Sequence, residues 1–228
     1  MQSYKYLSVI TGLFTATLLI SNTLDTKIFM LGSLALPAGI ILFPLAYLFG
    51  DVLTEVYGYA ATRKVIWTGF ASLLLMVIAY EIGRWLSPAP FWPNQLAYDQ
   101  VLGHVPRIVA ASVTAYFAGE FCNSYVLAKI KVKMDGRVMP LRFVLSTVVG
   151  QAVDTTVFVI IAFVGVFGLD QLISVTISGW AVKVAWEIIA LPVTLPFVKW
   201  LKRTENEDYF DRDTNFSPFA TNHSGEKI

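Results

Sequence analysis

Cysteine is almost missing from this chain: Cys122 stands alone among 228 residues, which excludes an internal disulfide. Charge is scarce as well. Only 14% of the residues are Asp, Glu, Lys or Arg, against roughly 25% in soluble proteins. A net charge of +1 offers no basic surface to a polyanion, so no nucleic-acid partner is expected. The two histidines, His104 and His223, are isolated, and no Cys/His/Asp spacing suggests a metal site. Walker A, G-x-S-x-G and G-x-G-x-x-G patterns are all absent, leaving no visible means of using ATP. Neither catalytic residues, nor a metal, nor a cofactor is therefore expected.

What is present is apolar sequence, 56% of the chain. Its centre is the 27-residue run "FVLSTVVGQAVDTTVFVIIAFVGVFGL" from Phe143 to Leu169, with Asp154 as its one charge. About 20 helical residues cover the ~30 Å hydrocarbon core of a bilayer, so this run is long enough to span. Asp154 lies twelve residues in from Arg142, roughly 18 Å deep at helical rise. A bare carboxylate near the midplane costs on the order of 3 kcal/mol by insertion scales, so it must face a partner, a cavity or a substrate.

The fold class expected is all-α, with six transmembrane helices. The first runs from about Tyr6 to Asn22 and reads as retained rather than as a cleaved signal. In "TLDTKIFMLGSLALP", too short and broken to span, Gly32-Ser33 predicts a hairpin or re-entrant piece. The second span begins near Leu34 and runs into "FPLAYLFGDVLTEVYGY", closed by Tyr57 and Gly58. The third covers about Val65 to Trp85, the fourth Ile108 to Ala128, the fifth the central run and the sixth Leu172 to Val198. Pro192 and Pro196 are expected to kink the sixth or end its regular bonding. Residues 1–203 form the transporter domain, and 204–228 read as a polar, exposed cytoplasmic tail. Eleven Lys and Arg fall on one side of this topology and three on the other, which predicts both termini in the cytoplasm.

Counted from their own span ends, Glu120 is twelve residues deep and Lys183 eleven, level with Asp154. Helical spacing adds Asn123 and Ser124 beside Glu120, Gln151 beside Asp154, and Glu187 one turn from Lys183. Glu120, Asn123, Gln151, Asp154, Lys183 and Glu187 are the predicted substrate-binding set. The competing reading is helix locking, with Lys183 paired to Glu187 along one helix or to Asp154 across two. Three acids against one base leave acceptors in need of a proton or a donor. Asp51 and Glu55, an i,i+4 pair near the inner end of the second span, read either as a gate or vestibule or as a helix end paired with the basic loop. Asn22 and Asp25 read as an entrance lining or a helix-end cap, and Glu81 with Arg84 as an interfacial pair.

Four segments carry a family resemblance: "LFPLAYLFGDVLTEVYGYAATRKVIW" from Leu42, "GEFCNSYVLAKIK" from Gly119, "RFVLSTVVGQAVDTTVFVIIAF" from Arg142 and "LPVTLPFVKWLKRTE" from Leu191. In these the chain resembles the bacterial queuosine precursor transporters, also called the vitamin uptake transporter family. The likeness covers most of Lys5 to Arg203 and leaves out the tail. It implies a multi-pass protein of the inner membrane that takes up 7-deazapurines, 7-cyano-7-deazaguanine or 7-aminomethyl-7-deazaguanine, for tRNA queuosine synthesis; it does not say which residues bind. The chemistry is compatible. A guanine-like edge presents N1–H and a 2-amino group that one carboxylate accepts together, and the amide of Asn123 or Gln151 suits the O6 or N7 side. Tyr47, Phe117, Phe121, Phe158 and Trp186 are at a depth to stack on the base. The partners expected are this small molecule and the lipid bilayer, with a homo-oligomer left open. Two alternatives belong to other classes: the substrate-binding subunit of an ATP-driven vitamin-type importer, and a membrane lipid enzyme, for which no nucleophile or metal set is found.

Overall fold

The computed structural model describes residues 4–24, 27–31, 34–103, 106–165 and 168–220. Among them are seven α-helices and one short hairpin: α1 (Leu7–Leu24), β1 (Ile28–Leu31), β2 (Leu34–Pro37), α2 (Phe43–Tyr57), α3 (Tyr59–Trp85), α4 (Gln95–Leu102), α5 (Pro106–Lys133), α6 (Met139–Phe163) and α7 (Leu169–Glu205). Four of these, α1, α3, α6 and α7, are long and apolar enough to cross a membrane. The α5 helix has the length, 28 residues, but its polar residues keep it out of that set. Asp25, His104 and His223 lie outside the described residues.

The hairpin expected after the first span is present, with Ile28 opposite Pro37 and Leu31 opposite Leu34 in antiparallel register. It takes residues that the sequence reading gave to the second span. A 3-10 turn at Ala38–Ile41 follows, and Pro44, fitting the first turn of a helix, starts α2. The helix is thus 15 residues long and begins at Phe43, not near Leu34. At its other end Gly58, at φ 83°, separates α2 from α3 as expected. The central run also ends early, at Phe163, where Gly165 turns the chain at φ 82°. The last helix does the reverse. It continues unbroken through Pro192 and Pro196 to Glu205, although each proline lacks the N–H that would bond the carbonyl one turn back.

Two glycines set how closely α5 and α6 pack. A Cβ on Gly119 would lie 2.5 Å from Asp154 Cβ, and one on Gly150 2.6 Å from Asn123 Cβ. The helices therefore cross almost backbone to backbone, which brings Glu120 and Asn123 level with Gln151 and Asp154. The α2 helix is packed by α1, α3, α5 and α7, and its Val52, Leu53 and Val56 are buried. Leu74, Leu75 and Ile78 on α3, and Ile188, Ile189 and Val193 on α7, are exposed, as lipid-facing positions are.

The residues after α7 differ most from expectation. Through Ala220 they pack across the ends of α2, α3 and α5 rather than standing free. Tyr209 N–H donates to Val56 O (3.1 Å), and the Asp211 carboxylate accepts from Tyr59 N–H at 3.0 and 3.1 Å. Gly58, the N-cap residue of α3, has no side chain, so Asp211 supplies the cap from outside the helix. Arg63 donates to the carbonyls of Asn215 and Ser217, both at 2.8 Å, and Phe219 packs on Trp67 and Phe117. Polar composition hid this because the anchors are backbone groups and widely spaced aromatics.

Candidate functional site

Helices α2, α5, α6 and α7 each bring polar side chains to one buried region. From α5 come Glu120, Asn123 and Ser124, from α6 Gln151, Asp154 and Thr155, and from α2 Asp51 and Tyr47; all are buried. Glu187 of α7 is buried as well, and Lys183 is partly so.

Each acid has its own surroundings. Asp154 is paired with Lys183 across α6 and α7, the cross-helix alternative of the sequence reading. Asp51 accepts at Oδ1 from Asn123 Nδ2 at 2.6 Å, and its Oδ2 meets no donor. Asp51 of α2 and Glu187 of α7 are both buried, and the two helices pack on each other. Neither oxygen of Glu120 has a hydrogen-bond donor; nearby, the Thr54 hydroxyl donates to Ser124 Oγ at 3.1 Å. The Glu120 carboxylate lies against Gly50, where any Cβ would displace it. The Asn123 and Gln151 side-chain oxygens are likewise buried without donors, and so is the Tyr116 hydroxyl. Tyr47 and Tyr116, whose ring centroids are 5.9 Å apart, stand beside Glu120 and Asp154.

Asp51 thus belongs to this central group. Glu55, one turn further along α2, belongs to a different one. Its Oε1 is 2.5 Å from Arg142 Nη2, 2.6 Å from Lys202 Nζ and 3.8 Å from Lys131 Nζ. Lys131 also donates to Glu55 O (2.5 Å), Asp208 Oδ1 (2.5 Å) and Tyr209 O (2.6 Å). Three cations and two acids from α2, α5, α6, α7 and the following segment close that end of the molecule.

The other sequence readings resolve individually. Asn22 donates to Leu18 O, one turn back within its own helix, at 2.9 Å. Glu81 and Arg84 pair at 2.8 Å, with Asp99 of α4 at 3.4 Å. Of the five stacking aromatics, Tyr47 stands beside Glu120 and Asp154. Phe117 and Phe121 join Trp67 and Phe70 in a cluster between α3 and α5, and Trp186 is 42% exposed. Sequence reasoning missed Tyr116, whose signal was its position one turn before Glu120, and the Asp208 latch, which had none. Among the described residues no cluster suited to a metal is present.

A family model described as "Putative vitamin uptake transporter" matches residues 37–197. A protein of Bacillus subtilis (strain 168) named "Probable queuosine precursor transporter" is 29% identical over 186 residues, 81% of each chain. No solved structure matches.

Proposed function

We propose, from the premise that this chain belongs to the vitamin uptake transporter family, that it imports queuosine precursors across the inner membrane and reads the base with Glu120. As a member of that family with several membrane-length apolar helices, it is a multi-pass membrane transporter. The finer reading has six crossings, adding α5 and the hairpin-plus-α2 unit to the four apolar helices, with both termini cytoplasmic. Its substrates are 7-cyano-7-deazaguanine and 7-aminomethyl-7-deazaguanine, the class named by the Bacillus subtilis relative.

One observation carries the assignment: Glu120 is fully buried and both its oxygens lack donors. A side chain in that state is an acceptor waiting for a donor. The N1–H and 2-amino group of a deazaguanine supply two, side by side, and neutral transported bases of other shape do not. Asn123 and Gln151 hold further open oxygens nearby, and Tyr47 and Tyr116 offer flat faces. Lys183 pairs with Asp154 beside the base, and the Glu55 cluster is the inner gate in its closed state.

Purified protein reconstituted alone in liposomes should exchange labelled precursor, with no ATP-driven module added. Glu120→Gln replaces one acceptor oxygen by an amide donor. Losing one charge-assisted bond of ~1.5–3 kcal/mol should weaken binding about 10- to 100-fold. Wild-type exchange by a folded Glu120→Gln protein would remove Glu120 from the site.

A further inference from the structure

Reading the base with Glu120 leaves other acceptors of the same region without a role. Asp51 on α2 is fully buried; Asn123 Nδ2 holds its Oδ1 at 2.6 Å, and its Oδ2 meets no donor. The side-chain oxygens of Asn123 and Gln151, both buried, are also bare. Gly50 relates Asp51 to Glu120. The Glu120 carboxylate rests on Gly50, and the next residue of a helix points about 100° further around its axis. Asp51 therefore turns away from Glu120 to Asn123, one turn along α5, and makes a second acidic position beside the first. Charge does not balance there. Asp154 has Lys183, and Arg142, Lys131 and Lys202 all serve Glu55. Among the described residues, neither Asp51 nor Glu120 has an ion-pair partner, and α1 carries no charge. A buried acid with one bare oxygen is matched by a ligand that brings a positive charge and N–H donors together.

We propose that Asp51 is a subsite for a protonated primary amine on the substrate, so that the protein takes the aminomethyl precursor in preference to the cyano one. The inference rests on the transport reading above and deepens it. The two precursors share the base that Glu120 reads and differ only at the 7 position. An aminomethyl group is an ammonium near neutral pH, as a lysine side chain is, with a full charge and three donors. Asp51 Oδ2 accepts one of these donors and supplies the counter-charge. The bare oxygens of Asn123 and Gln151 are acceptors for the others. A cyano group brings only a nitrogen lone pair. Against these oxygens it has no hydrogen to share, and it leaves Asp51 as unbalanced as before. Glu120 thus selects the base, and Asp51 selects what the base carries.

The test measures binding to the full-length protein in liposomes, with each precursor labelled in turn and unlabelled bases as competitors. The aminomethyl base should bind about 10- to 100-fold more tightly than the cyano base, the size of one charge-assisted hydrogen bond. 7-Hydroxymethyl-7-deazaguanine keeps the shape of the arm without its charge, and it should compete as weakly as the cyano base. In Asp51→Asn the advantage of the aminomethyl base should disappear. A purely structural role for Asp51 would weaken both precursors by the same factor and preserve their ratio, which would overturn the subsite. Equal affinity of the wild type for the aminomethyl and hydroxymethyl bases would overturn it too, and that comparison needs no variant to fold. Binding of neither precursor by the wild type would defeat the transport reading, and the subsite with it.

Discussion

Lys183 has two acids within reach, Glu187 one turn along its own helix and Asp154 across to α6, and it bonds Asp154. Removing one partner of a buried ion pair is commonly worse than removing both, by up to 3–5 kcal/mol. Lys183 is partly exposed, so about 2–3 kcal/mol is expected for Lys183→Met, with part of it recovered in Lys183→Met/Asp154→Asn. Thermal unfolding of the four proteins of this cycle measures the coupling. Strong coupling to Glu187 with none to Asp154 would contradict the pairing. At this scale much of the site was legible: helix rise alone put Glu120, Asp154 and Lys183 at one level. Asp51 was not, because depth is counted along one helix, and its bond to Asn123 depends on which helices cross.

Among the elements, the α5–α6 crossing depends on two residues without side chains. Gly119→Ala and Gly150→Ala each force a methyl group against the facing backbone and should lower stability by about 1–3 kcal/mol. Gly12 on α1 has nothing within 4 Å of the added methyl, and Gly12→Ala should be neutral or stabilising by up to about 1 kcal/mol. Thermal shift in detergent separates the two cases, and equal effects at all three sites would refute the close-approach argument. The rough positions of the long helices could be read from apolar length; the short α4, in the Pro- and aromatic-rich connector, could not. Helix ends could not always be: apolar residues serve β2, the 3-10 turn and α2 alike, and Gly165 ended α6 within a run that composition treats as continuous.

For the whole molecule, a cysteine placed at Gly136 should label from the cytoplasmic side and one at Asn94 from outside, in a Cys122→Ala background. The opposite pattern would overturn the orientation and the inward direction together. The segment after α7 should respond to acid. Partial burial raises the Asp208 carboxyl, but its bonds to Lys131 and Lys202 outweigh this and hold it below its ordinary 3.8. Its contribution to docking is therefore complete above about pH 4, the value for a free chain, and is lost as pH falls through the lowered value. Burial pushes the Asp211 carboxyl up, against its bonds to Thr214 and Tyr59. That group works the other way, favouring docking at low pH and less so once pH rises through its raised value. Acid should thus release the Asp208 latch first. Pepsin cleavage between Asn206 and Ala220 should rise as pH falls below about 4 and lose this pH dependence in Asp208→Asn; cleavage independent of pH in both proteins would sink the latch.

The pairing of Glu55 with Lys202 also sets a timetable. The two residues are 147 positions apart, a gap that a ribosome working at ~5–20 residues per second crosses in roughly 7–30 s. For that interval α2 is already made while Glu55 first has no cation and then only Lys131 and Arg142, which follow it by 76 and 87 positions. Asp208 and the cap on α3 do not yet exist. Glu205, which accepts from Lys5 and Tyr6 N–H at 2.9 and 2.6 Å, arrives in the same last stretch. The first helix thus waits for Glu205 to fasten it, and a chain stalled before Lys202 presents an unfastened end to the proteases that survey newly made membrane proteins.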